Sequence, residues 1–97
     1  MKRALPVLLL LAAFAARAQV LPDEVTRFLS ERKTCEHFLG EPVEGRTLKQ
    51  RERRDFVADS IDIYCSGTDK RLAALKRRYA KDASVMSVLN VLEDKVE

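Results

Sequence analysis

Residues 25–42 read VTRFLSERKTCEHFLGEP, and the fold class follows from the way this stretch is spaced and stopped. Val25, Phe28, Leu29, Arg32, Cys35 or Glu36, and Leu39 recur at intervals of three and four, the period of one face of an α-helix. Arg32 falls inside that stripe, where its aliphatic stem can lie along the apolar face. Gly40 and Pro42 stop the helix. Upstream, Leu21-Pro22-Asp23-Glu24 reads as its start, with proline in the first turn and two acids at the positive end of the macrodipole.

Working outward toward the C-terminus, residues 40–47 (GEPVEGRT) hold two glycines and a proline and form an irregular linker. A second helix begins in the polar residues 48–55. It acquires an apolar side from Phe56, Val57, Ser60, Ile61, Ile63, Tyr64 and Cys65. Ser66-Gly67 ends it, and Thr68 with Asp69 is expected to cap a third helix. Leu72, Leu75 and Tyr79 mark the inner face of that helix, Ala73 and Ala74 permit close approach, and Lys76, Arg77, Arg78 and Lys81 suit its negative end. Asp82 can cap a final helix whose stripe is Val85, Leu89, Leu92 and Val96, widened by Met86 and Val88. No strand-like alternation and no hairpin signal interrupts this pattern. The expected fold is all-α: one small domain of three to four helices.

The N-terminus explains the cysteines. Lys2 and Arg3 precede an apolar run over residues 4–16, and Ala16-Arg17-Ala18 places small residues where a signal peptidase cuts. The run is too short to span a bilayer comfortably, which takes about 20 apolar residues. Residues 1–18 are therefore expected to be a signal peptide cleaved after Ala18, residues 19–97 the domain, and the destination periplasmic or secreted. In an oxidising compartment Cys35 and Cys65 form one disulfide. Closing a loop of that length restricts the unfolded chain by about 3–4 kcal/mol. The bridge also constrains topology. In a tight antiparallel hairpin of the first two helices, Cys35 would sit near the turn and Cys65 about 20 Å away at the far end. Either the linker runs back along the first helix, or the helices cross steeply, or residues 48–55 are not continuous with the second helix.

Export also changes the electrostatics. Three of the 18 Lys and Arg precede the cut and none of the 15 Asp and Glu does, so the mature chain has formal charge zero. A global preference for nucleic acid or anionic membrane is thereby excluded. Local clusters remain at Arg46, Lys49, Arg51, Arg53 and Arg54, and at Lys70, Arg71, Lys76, Arg77, Arg78 and Lys81. Arg51, Arg54, Arg77 and Arg78 are the candidate partner-binding residues, since a planar guanidinium suits carboxylate and phosphate partners.

Catalytic chemistry is not expected. There is one histidine, no nucleophile elbow, no phosphate-cradling glycine loop and no C-x-x-C pair. Asp55, Asp59 and Asp62 read as solvated partners of Arg51, Arg53 and Arg54. Cys35, His37 and Cys65 could supply thiolate and imidazole ligands, but fall short of a closed metal site, so no metal or cofactor is expected.

The segments CEHFLGE (residues 35–41), Cys65 and GTDKRLAALKRRY (residues 67–79) resemble a group of short exported proteobacterial helical proteins. Tyr64-Cys65 with Leu72, Leu75 and Tyr79 is more weakly similar to small helical domains of the lysozyme-inhibitor type, which carry more cysteines than this chain. The resemblance implies export and a helical fold, and transfers no site residues. Three functions are compatible with these readings. The first is a periplasmic interaction protein that binds or inhibits another envelope protein. The second is a metal or small-ligand carrier using Cys35, His37 and Cys65. The third is a structural or stress-related envelope component.

Overall fold

The computed structural model describes residues 20–97; the expected signal peptide and its cleavage point lie outside them. Four helices are present among the described residues, α1 Asp23–Leu39, α2 Leu48–Cys65, α3 Thr68–Arg78 and α4 Ala83–Leu89. No described residue is in a strand.

The N-terminal half of α1 packs with α3 and α4. Val25, Phe28, Leu72, Leu75, Val85 and Leu89 are buried together, with Leu21, Leu29, Tyr79, Met86, Val88 and Leu92 against them. Each fully buried side chain of this kind stabilises the fold by about 1.5–3 kcal/mol. The periodicity of α1 thus faces inward as expected, except that Leu39 lies beyond the core and is exposed.

A second centre, around the disulfide, attaches α2. Cys35 and Cys65 are bonded with their Cα atoms 5.0 Å apart, and both side chains are buried. Beside them Phe38 meets Phe56 edge-on at 5.7 Å between centroids and stacks on Tyr64 at 6.3 Å. Residues 48–55 are continuous with the rest of α2. The hairpin escapes the geometric conflict because its linker overshoots. Cys35 lies close to the end of α1 while Cys65 closes α2, so α2 runs on past α1 by about 20 Å. Residues 40–47 span that distance along α2 itself, eight residues reaching about 26 Å when extended. Arg53 Nε donates to Glu41 Oε1 at 2.6 Å, and the Arg54 guanidinium donates to the carbonyl oxygens of Val43 (3.4 Å) and Gly45 (2.5 Å). Thr47 then caps α2 in a reciprocal box, accepting from Gln50 N at 3.1 Å while its own N–H donates to Gln50 Oε1 at 3.0 Å.

Three expectations about element ends change. Gly40 closes α1 in a right-handed conformation (φ −87°), so the stop comes from Pro42, which disfavours helix at the preceding residue. The residue before α3 is Gly67 in the left-handed region (φ 74°), and Thr68 and Asp69 are already helical. Their side chains are used elsewhere. The first amides of α3 are capped by Glu97, whose two carboxylate oxygens accept from Gly67 N (3.2 Å) and Asp69 N (3.1 Å). Finally, α4 stops at Leu89, although Asp82 caps it as expected, accepting from Val85 N at 3.1 Å. Leu92 and Val96 belong to a non-helical tail because the tail's backbone is bonded by side chains. The Asp69 carboxylate accepts from the amides of Val96 (3.0 Å) and Glu97 (3.2 Å).

Arg32 joins all of this. Its side chain is fully buried, which is tolerable only because each of its three nitrogens finds an acceptor. Nε donates to Glu36 Oε2 (3.2 Å) and Nη1 to Thr68 Oγ1 (3.1 Å) and Asp69 Oδ1 (3.3 Å); Nη2 donates to the carbonyl oxygen of Glu93. One guanidinium thereby links α1, the start of α3 and the tail.

Candidate functional site

On α2 only Val57, Ser60 and Cys65 are buried. Phe56, Ile63 and Tyr64, expected on its inner side, are instead exposed, Ile63 most of all (71%), while Phe56 and Tyr64 keep one edge against Phe38. Val57, Ser60 and Cys65 define the inner side, and Leu48, Glu52, Asp59 and Ile63, about 120° or more around the helix from Val57, lie toward solvent. The result is a stripe at helical spacing: Leu48, Glu52, Phe56, Asp59 and Ile63, separated by four, four, three and four residues. Its apolar members are 65%, 50% and 71% exposed, and both carboxylates are exposed. The Arg53 guanidinium lies over the Phe56 ring at 5.0 Å, fixing one edge of the stripe.

The four arginines singled out in the sequence divide into two distant pairs. Arg51 and Arg54 sit on the part of α2 that projects beyond the C-terminal end of α1, and Arg54 is engaged by the linker carbonyls. Arg77 and Arg78 end α3 at the opposite end of α1, where Arg78 Nη1 donates to Glu24 Oε2 at 3.2 Å. With the 17 residues of α1 between them, about 25 Å of helix, the pairs form no common patch. Among the described residues Asp55, Asp59 and Asp62 make no ion pair. Their expected partners Arg53 and Arg54 hold Glu41 and the linker instead.

His37 is exposed, with Nε2 3.9 Å from Glu41 Oε2. Both cysteine sulfurs are in the disulfide. Among the described residues no group of three or more His, Cys, Asp or Glu is placed to hold a metal ion. No described helix is long and apolar enough to cross a membrane.

Two titrating groups are displaced from their ordinary values. The hydrogen bond to Glu24 raises the Tyr79 phenol above 10.0, with desolvation adding to it. The hydrogen bond and positive charge of Lys76, whose Nζ is 2.8 Å away, lower the Asp94 carboxyl below 3.8. Both pairs tie α3 to its neighbours, to α1 in one case and the tail in the other.

No family model, curated protein or solved structure matches the chain. What it does is therefore read from its own side chains. Two features escaped the sequence reading and had signals in it. Thr47-Leu48-Lys49-Gln50 has the T-x-x-Q form of a capping box. Arg32, a charge inside an otherwise apolar stripe, marks a buried network.

Proposed function

We propose that the protein is a small periplasmic interaction module that binds another envelope protein, inhibition of that protein being one form of the action. The observation that carries this reading is the exposed α2 stripe of Leu48, Glu52, Phe56, Asp59 and Ile63. An isolated helix of this length gains most of its stability from packing an apolar face. Here the helix is held by a disulfide, an aromatic cluster that engages one edge of Phe56, and a hooked linker, and Leu48, Ile63 and the outer half of Phe56 stay exposed. Helices that present spaced apolar anchors dock into grooves of partner proteins. Carboxylates between the anchors suit a groove with a basic rim. Export is supported by Lys2, Arg3 and the apolar run over residues 4–16, and by a disulfide of the kind that persists in oxidising compartments.

The test is site-specific photo-crosslinking in growing cells with a photoreactive residue at Phe56 or Ile63 and, for comparison, at Arg77. A single adduct of defined mass from the α2 positions, lost when the other stripe residues are changed to alanine, is the expected outcome. Absence of any such adduct, or an equal one from Arg77, would argue against docking through α2.

A further inference from the structure

Between the N-terminal half of α1 and α3 lies a cleft of about 290 Å³ lined by Glu24, Arg27, Phe28, Arg71, Leu75 and Arg78 together with Ala74. We infer that this cleft is a binding site for a small amphipathic carboxylate, an acid group carried on one aryl or branched-alkyl unit. It shares no residue with the α2 stripe.

The floor is apolar. Phe28 and Leu75 belong to the core, and Ala74 leaves room between them. The Arg71 guanidinium lies over the Phe28 ring at 5.4 Å, held by an ion pair to Glu31, so it stands ready above the floor. Arg71 and Arg78 each bond their carboxylate through Nη1 alone, so other donors of each fork remain for a ligand. Arg27, exposed on α1, makes no side-chain hydrogen bond or ion pair among the described residues. Glu24 does not repel an incoming acid as a free carboxylate would. Its Oε2 accepts from Arg78 at 3.2 Å and its Oε1 accepts from the Tyr79 hydroxyl.

The charge count selects the ligand. Arg27, Arg71 and Arg78 face Glu24 and Glu31, three positive groups against two negative ones, leaving one positive charge in excess. A monoanion balances it, whereas a phosphate monoester dianion overshoots. The volume matches the lower end of small-molecule sites, about 300 Å³, which is room for one ring or branched chain and its carboxylate. Planar forks above an apolar floor recognise this combination: the guanidinium groups bind the acid bidentately and the floor takes the hydrocarbon.

The experiment is an NMR titration of the oxidised protein with 3-phenylpropionate, 3-phenylpropionamide and N-acetyl-alanyl-phenylalanine. The expected result is saturable shifts confined to the amides around Glu24–Phe28 and Arg71–Tyr79, with the amide binding about tenfold or more weakly, as loss of a charge-assisted hydrogen bond requires. Arg27→Gln, a change on an exposed side chain without a partner in the fold, should weaken the acid by a similar factor while leaving the melting temperature unchanged. Equal binding of acid and amide, no saturable shift at these residues, or an Arg27→Gln variant with unaltered affinity would overturn the assignment. A peptide acid that binds about tenfold or more tightly than 3-phenylpropionate would overturn it in favour of a polypeptide C-terminus.

Discussion

Arg32 shows how one residue can decide a small fold. A buried guanidinium is costly to desolvate and is retained only where its donors are used. Here its acceptors come from α1 (Glu36), the first turn of α3 (Thr68, Asp69) and the tail (Glu93). Arg32→Ala is expected to cost about 2–5 kcal/mol, because it empties a fully buried side-chain volume and removes the bonds that join α1, α3 and the tail. In a domain of this size each kcal/mol lowers the melting temperature by about 4–8 °C, so thermal unfolding followed by circular dichroism should fall by about 10 °C or more. Arg32→Lys keeps the charge but loses the fork, and should recover only part of that.

Tyr79 supplies a second residue-scale prediction. Its folded pKa is raised, so the stability it contributes is fully present below pH 10.0 and is lost as pH rises through the raised value. The difference between the 295 nm titrations of the native protein and Tyr79→Phe should show a phenol ionising above 10.0. A difference curve centred at or below 10.0 would mean the bond to Glu24 is not formed in solution.

At the scale of elements, α2 is held to the rest of the molecule outside the main core. It shares little of the core of α1, α3 and α4, and its attachment runs through Cys65, Phe38 and the linker hooks of Arg53 and Arg54. Reducing the disulfide, or changing Cys35 and Cys65 to serine, should cost about 3–4 kcal/mol. The loss should be uneven. Hydrogen exchange of α2 amides should accelerate far more than that of α3 amides, since opening α2 does not require opening the main core. Uniform acceleration would show that the two centres unfold as one unit. Gly67 adds a smaller effect. A Cβ there meets nothing within 4 Å, so Gly67→Ala should cost only the left-handed strain, about 1–2 kcal/mol in urea unfolding.

For the molecule as a whole, one long helix stands out from a small core, with exposed apolar anchors on that helix and arginines around a cleft at the other end of α1. A native, non-reduced intact mass of protein from the periplasm should match residues 19–97 less two hydrogens. Retention of residues 1–18, or of both thiols, would remove the basis for an exported, disulfide-anchored module.

Much of this architecture is legible in the sequence because it depends on local spacing. The three- and four-residue period from Val25 to Cys35, the inner face of Leu72 and Leu75, the Asp82 cap and the all-α class are properties of neighbours along the chain, and helical geometry alone converts them into faces. Cys35 and Cys65, the only two cysteines, allow a single intramolecular pairing. Tertiary structure alone decided which side of α2 faces inward, because that side is fixed by the bond from Cys65 to Cys35 and by Phe38, both on α1, and Ile63 is left in solvent with Phe56 half exposed. It also decided where the chain after Leu89 goes, since the tail's amides are satisfied by Asp69, a residue far from them in sequence. The cleft arginines belong to the same class. Arg27 on α1 and Arg71 and Arg78 on α3 share a site only because Phe28 packs against Leu72 and Leu75, and no spacing along the chain encodes that approach.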